Sequence, residues 1–388
     1  MIRETLTIEE IPLGNPRLKY FVNFPWQLFR GDPYWTPPLN GELLGNRFLG
    51  LIGLLNPEHP YHRSSEVTHF LAWRKGKPVG RISAAINHRF NKYHGSKIGF
   101  FGFFDVIENY EVTVALLDKA RDWVSNRGMK ILRGPGEYSN ATYERQGILI
   151  EGFQYPPTVE LTHNFPYYAD FLEKYGFHKA KDYYAYIMDV NSLPPVGLKK
   201  IAKKVLSRGN IITRVSNPKK LRSEVRLIVK IYNDTWSQNW GFLPITDEEA
   251  NSLVDTLRII LDPGLVRFAC VKGEPVAVIG AFPDANFALR PRWKWYGDSD
   301  LVRLIRLILF RKHIPRVRLM FFGVRPGFRH RGIDAVLFNE IKEYAMRKHY
   351  KECDISLLLE NNDLILTVSK FMKAKHYKTW RIYDLSLE

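Results

Sequence analysis

The chain has 388 residues, with 57 Lys plus Arg against 40 Asp plus Glu, a formal net charge of +17. Hydrophobic residues make up 45% and aromatic residues 14%, which gives ample core material and excludes a disordered polymer. Only Cys270 and Cys353 are present, so a disulfide framework and a cysteine zinc site are excluded, and both read as buried apolar thiols.

The amino terminus, MIRETLTIEEIPLGNP, has Glu4, Glu9 and Glu10 where a secretory leader needs a basic start and an apolar run; a cytoplasmic protein is expected. The positive charge draws anions, whether nucleic acid, anionic lipid or a phosphorylated cofactor. No run of five or six like charges makes a basic tail.

Taken in chain order, the sequence repeats itself. An alternating strand, VTHFLAW, leads to KGKPVGRI at 75–82, whose Lys-Gly step marks a hairpin. The aromatic strand KIGFFGFFDV follows at 97–106, then a helix over roughly 112–126 with apolar residues at i, i+3 and i+4. A short strand near MKILRG, a long polar stretch at 134–168 and the reversal FLEKYGFHKAKDYYAYIM complete the first copy. The Pro-containing NSLPPVGLKK at 191–200 is the connector. In the second copy LVRFACV and KGEPVAVI form the hairpin, VRLMFFGV at 317–324 the aromatic strand, 334–348 the helix, ECDISLLL the next strand, and FMKAKHYKTWRIYDL the reversal. Strand, strand, strand, helix, strand, helix, strand occurs twice, with domains at 1–192 and 199–388. A strand–helix–strand step implies parallel pairing and a right-handed crossover, so each copy reads as a mixed α/β sheet carrying helices.

The segment VRPGFRHRGIDAVL at 324–337 resembles the GNAT acyltransferase superfamily, in which a strand ending in V-x-P meets R/Q-x-x-G-x-G/A at the start of a long helix. The resemblance implies two GNAT-like domains in tandem, with one acyl-CoA site, in the second copy. There Val324, Arg325, Arg329, His330, Arg331, Gly332 and Ile333 would bind acetyl-CoA or a longer acyl-CoA, and Asn362 resembles the family's cofactor-contacting asparagine. The physical basis is anion capture by unpaired N–H groups at a helix start. Asp334 stands where the family has Gly or Ala, and a carboxylate there would satisfy those donors itself and repel phosphate. The first copy joins strand to helix through FFDVIENYEV, without glycine and with Asp105, Glu108 and Glu111, and reads as degenerate.

The function implied is an acyl-CoA-dependent N-acyltransferase, most simply an N-acetyltransferase, acting on a small-molecule or lipid-like amine. The family's base on the strand before the motif is missing, and Phe371 and Met372 stand where its tyrosine would be. Glu360 and Tyr377 are the catalytic candidates, with Tyr383 a further proton donor; Glu360 and the adjacent Asn361 or Asn362 also suit a helix cap. Asn233, Trp236, Asn239, Trp240 and Phe242 form either a substrate wall or ordinary packing, and Tyr138, Asn140, Glu144, Asn164 and Tyr167 either a cleft or a packed loop. No metal ligand set is present. Two other readings are an aminoacyl-tRNA-dependent transferase of the Fem type, disfavoured because Arg329–Ile333 is largely intact, and a non-catalytic acyl-CoA-binding protein. Nucleic acid is therefore not the expected partner.

An insertion, LVRLIRLILFRKHI at 301–314, is interrupted by Arg303, Arg306 and Arg311 and falls short of the ~18 apolar residues of a bilayer span. As a helix it places Leu301, Leu304, Ile305 and Ile308 on one face, which docks on the sheet, rests on an anionic membrane or shelters a lipid-like substrate.

Overall fold

The computed structural model describes residues 5–138, 145–192, 196–293 and 298–388; the candidates Asn140 and Glu144 lie outside them. The first half runs β1 (Thr7–Pro12), α1 (Leu18–Leu28), α2 (Asn40–Leu44), β2 (Ser65–Arg74), β3 (Lys77–Asn87), α3 (His88–His94), β4 (Ile98–Val106), α4 (Tyr110–Ser125), β5 (Ile131–Gly136), β6 (Ile148–Glu151), α5 (Tyr167–Tyr175) and β7 (His178–Asp189). The second runs α6 (Val196–Ser207), β8 (Ile212–Val215), α7 (Leu221–Thr235), α8 (Asp247–Ile260), β9 (Val266–Val271), β10 (Glu274–Pro283), α9 (Asn286–Leu289), α10 (Asp300–Phe310), β11 (Arg316–Val324), α11 (Ile333–Arg347), β12 (Glu352–Leu359), α12 (Asp363–Phe371) and β13 (Lys375–Ser386).

The order strand, strand, strand, helix, strand, helix, strand runs through β2, β3, β4, α4, β5, α5 and β7 and again through β9, β10, β11, α11, β12, α12 and β13. Both hairpins turn on Lys-Gly: Lys75 and Gly76 have φ of 52° and 68°, Lys272 and Gly273 51° and 84°. Two consecutive left-handed residues make the turn whose twist matches that of the strands. The strand–helix–strand steps give parallel pairs, β4 with β5 and β11 with β12.

The chain forms two compact units, Met1–Asp182 with Arg290–Leu304 and Lys378–Glu388, and Tyr183–Leu289 with Ile305–Tyr377. Their closing strands are exchanged. In the first unit β13 pairs antiparallel with β5 through Tyr383–Ser386 and with β6 through Thr379–Arg381. In the second, Tyr183–Asp189 of β7 pair with β12.

Each sheet carries an amphipathic helix. In the first unit Val112, Leu116, Ala120 and Val124 of α4 pack on Ile82, Ala84 and Phe101. In the second, Ile333, Leu337, Ile341 and Ala345 of α11 pack on Ala277, Ile279 and Leu319. The four-residue spacing keeps each row on one helix face. Every fully buried Leu or Ile of these rows contributes about 1.5–3 kcal/mol. Among the described residues no helix is long and apolar enough to cross a membrane.

Candidate active site

In the second unit β11 and β12 part company halfway along. They pair from Arg316 opposite Glu352 to Leu319 opposite Ile355. β11 then stays with β10 as far as Val324, and β12 stays with β7 through Leu358 and Leu359. Each strand keeps its outer neighbour while the inner pairing stops, so a wedge opens between them. On β11 a bulge at the wedge sets Gly280 opposite Phe321 and Ala281 opposite Leu319, leaving Met320 without a partner on β10.

The turn after β11 leads directly to α11. Arg325 N–H donates to Val276 O at 2.9 Å, and Arg329 Nε donates to Val324 O at 3.1 Å and Nη2 to Thr235 O at 3.3 Å. Arg329 therefore holds the turn. Arg325 pairs with Asp234 at 2.9 Å, and exposed Arg331 lies 5.2 Å from the Phe328 ring. His330 takes φ 60°. Gly332 follows with φ 75° and ψ 14° as the residue before α11, and no side chain caps this helix. Asp334 is exposed and leaves the first-turn N–H groups open, so the carboxylate in the first turn does not occupy the place an anion would take. A Cβ on Gly332 would lie 2.8 Å from Val205 and 3.1 Å from Ile201 of α6. This glycine thus serves both the left-handed backbone and the seating of α6. An open helix start and a cationic Arg331 fit the pyrophosphate of CoA.

At the apex of the wedge sits a buried polar network. Asp354 of β12 has no exposed surface and Ser356 and Arg318 4% each. Arg318 Nε reaches Ser356 Oγ at 3.0 Å, Ser356 donates to Asp354, and Tyr377 donates to the other oxygen of Asp354. Burial, and next the Asp354 carboxylate, hold the Tyr377 phenol well above its ordinary value; it stays a proton donor at neutral pH. An ion pair, Arg316 with Asp284 at 2.8 Å, braces β11 beside this network. Burial pushes the Cys353 thiol up to about 12, so it is no nucleophile near neutrality.

The aromatic segment after α7 stands beside the wedge. Trp236 Nε1 donates to Phe322 O at 3.1 Å, and the Tyr232 ring lies 4.8 Å from Trp236 and 5.4 Å from Phe242. Trp240 meets Tyr183 at 6.4 Å. Asn233 clamps the loop, exchanging bonds of 3.0 Å with the N–H and carbonyl of Ile245. Asn239 is half-buried within it.

Of the sequence candidates, Val324, Arg325, Arg329, His330, Arg331, Gly332 and Ile333 come together around the α11 start, Trp236 lies against β11, Trp240 meets Tyr183 of β7, the strand beyond β12, and Asn239 sits between them in the same loop. Tyr377 reaches its apex. Glu360 is half-buried in the turn after β12, and Asn362 caps α12 by accepting from Ile365 N at 3.4 Å. Tyr138 and Asn164 lie in the first unit. Tyr138 is fully buried, its hydroxyl 2.7 Å from His69 Nε2. Asn164 Oδ1 accepts from Leu149 N at 2.7 Å and Nδ2 donates to the carbonyls of Leu149 and Phe165, so its amide is committed to backbone. Tyr167 donates to Val106 O at 2.7 Å, and Tyr383 to Glu173 at 3.0 Å. Asp354, Ser356 and Arg318 were not among the candidates. The signal was present in ECDISLLL, where Asp and Ser alternate on one face of an otherwise apolar central strand.

The first unit has a cavity of about 120 Å³, walled in part by Trp26, Trp35, Phe103 and Leu161. Arg145 on its lining meets Glu137 at 2.9 Å, Glu160 at 3.0 Å and Glu42 at 3.4 Å. One guanidinium cannot neutralise three carboxylates, and burial pushes Glu42 up to about 7.

No family model matches the chain. It is 30% identical over 388 residues to the bacterial ceramide synthase of Caulobacter vibrioides, covering 97% of each chain. It is 29% identical over 383 residues to protein YghO of Escherichia coli, covering 96% of this chain and 93% of that one. Among solved structures, a tandem GNAT protein from the clavulanic acid biosynthesis pathway matches 99% of both chains with a TM-score of 0.57 at 11% identity.

Proposed function

Because the chain belongs to the family of the bacterial ceramide synthase and has the tandem GNAT fold, we propose that it is an N-acyltransferase. It moves a fatty acyl group from a CoA thioester to the amine of a long-chain amino alcohol, since a ceramide is the amide such a transfer makes. The observation that carries this reading is the parting of β11 from β12 beside the uncapped start of α11. The α11 N–H groups, Gly332 and Arg331 receive the pyrophosphate, and the wedge takes the extended arm that ends in the thioester. The strand edge freed beyond Leu319 offers that arm backbone hydrogen bonds.

The amine nitrogen attacks the thioester carbonyl, the C–S bond breaks, and the thiolate takes up the proton that the nitrogen sheds after attack as it becomes an amide. Asp354, reached through Ser356, accepts the proton the ammonium must lose. Tyr377 and Arg318 fix that carboxylate and hydroxyl in place. The aromatic segment around Trp236 gives an acyl or alkyl chain an apolar wall.

The test is to mix purified protein with acyl-CoAs from acetyl to stearoyl and a long-chain 2-amino-1,3-diol, following thiol release and the amide by mass spectrometry. Stoichiometric thiol and amide, with long acyl chains preferred, are expected. No thiol and no amide with any acyl-CoA overturns the proposal, and acetyl transfer alone overturns its lipid part. Ser356→Ala should lower kcat at least about tenfold with little change in KM, and shift the pH profile.

A further inference from the structure

α10 turns Arg303 and Arg306 inward together with Leu307 and leaves a stripe of apolar residues outward. Arg303 has no exposed surface and Arg306 is 8% exposed. Arg303 donates to Pro37 O at 2.6 Å and Pro38 O at 3.1 Å and lies 5.5 Å from the Trp26 ring. By contrast Leu301, Ile305, Ile308 and Leu309 are 68%, 47%, 65% and 65% exposed. They stand at i, i+4, i+7 and i+8, a single stripe along the helix. The helix cannot roll to bury that stripe without stripping a buried guanidinium of its partners, which is costly. An exposed turn, Arg311, Lys312 and His313, follows the helix. At its other end Asp300 accepts from Gly41 N of α2 at 3.0 Å, and the loop after α2 projects Phe48, 99% exposed, next to Arg47.

We propose that α10 is a membrane-docking helix, whose Leu301, Ile305, Ile308 and Leu309 stripe enters the surface of an anionic bilayer while Arg311 and Lys312 meet lipid phosphates. Its 11 residues span about 16 Å at 1.5 Å each, too short to cross and suited to lie in plane. Charge selects the occupant. A chain of net charge +17 with a basic turn beside the stripe repels a second copy of itself and attracts an anionic surface. Phe48 is a second anchor, tied through α2 to the start of the same helix. The inference stands independently of the acyltransferase reading.

The experiment is co-sedimentation of the full chain with vesicles of phosphatidylcholine alone or with one-third phosphatidylglycerol. Binding to the mixed vesicles, weakened by salt, is expected. The variant Ile305→Ser/Ile308→Ser/Leu309→Ser should lose on the order of a hundredfold in affinity, and Phe48→Ser and Arg311→Glu/Lys312→Glu about tenfold each. All these side chains are exposed, so an unchanged melting temperature confirms that the variants fold. Wild-type protein left in the supernatant, or a triple variant that binds as well as wild type, overturns the proposal. So does light scattering that shows a wild-type dimer broken by the triple variant, with no binding to vesicles; the stripe is then an interface between copies.

Discussion

The two copies build the same strand–helix junction from the same backbone bonds and finish it differently. Ile107 N–H donates to Val79 O at 3.1 Å where Arg325 N–H donates to Val276 O at 2.9 Å, so the strands begin their turns alike. In the first copy β4 and β5 remain together to Gly102 opposite Gly136, and a Cβ on Gly102 would lie 2.0 Å from Gly136 O. The hydroxyls of Tyr167 and Tyr168 take up the carbonyl and N–H of Val106, and Asn109 caps α4. In both copies the parallel pairing stops before the central strand ends, at Gly102 of β4 and Leu319 of β11, but in the second copy the helix start is left open. A closed, satisfied junction stores stability, and an open one offers a ligand the bonds it lacks.

The largest effect that would sharpen this contrast is expected at the buried ion networks. Asp354→Ala removes the carboxylate that accepts from Ser356 and Tyr377 and should cost about 1–3 kcal/mol for each buried donor left unpaired, read in denaturant unfolding, with turnover lost in the remaining folded protein. Asp105→Ala, which strands Arg81, should destabilise comparably but leave turnover per folded molecule intact. Equal loss of turnover in both would break the assignment of chemistry to the second copy.

Next in size is Gly102→Ala, expected to destabilise by at least about 1–3 kcal/mol because the new methyl meets backbone that cannot move aside. An unchanged denaturation midpoint would mean that β4 and β5 are not clamped. Third, Arg331→Glu should weaken acyl-CoA binding about tenfold, or roughly 1.4 kcal/mol, in calorimetric titration. The titration should return one site per chain, and a second site in the first copy would overturn the contrast.

The smallest effect concerns the first unit's carboxylates. Glu42 has a folded value near 7, above its ordinary 4.5. The folded state therefore holds the extra proton, and stability is lost as pH rises from 4.5 to about 7. Glu42→Gln should flatten that decline and raise Tm by a few degrees at its upper end.

Much of this was legible in the residues because it is local. The Lys-Gly turns carry their own backbone preference, and the helix read at 334–348 is observed at Ile333–Arg347 because its apolar row repeats every four residues. The glycine turn was legible too, although part of the reason for Gly332 is the packing of α6, which no motif records. What stayed hidden is non-local. Strand sequences as alike as DYYAYIM and WRIYDL do not say which sheet each completes. Tyr377 could be nominated as a proton donor, but not paired with Asp354, 23 positions away in sequence. For α10 periodicity supplied most of the stripe, with half-buried Leu304 in place of exposed Leu309, and could not say which side would face the protein, because burial of Arg303 depends on carbonyls more than 260 residues earlier.

The exchange of closing strands has a kinetic consequence. The sheet of the first unit is completed by Thr379–Ser386, which follow every segment of the second unit in the chain. The amino-terminal half therefore waits on the ribosome for its final strand, exposing the edges of β5 and β6 throughout translation of the other half. A chain cut just before that strand has a second sheet already closed by β7 and a first sheet still open, so neither sheet is completed by the half of the chain that begins it.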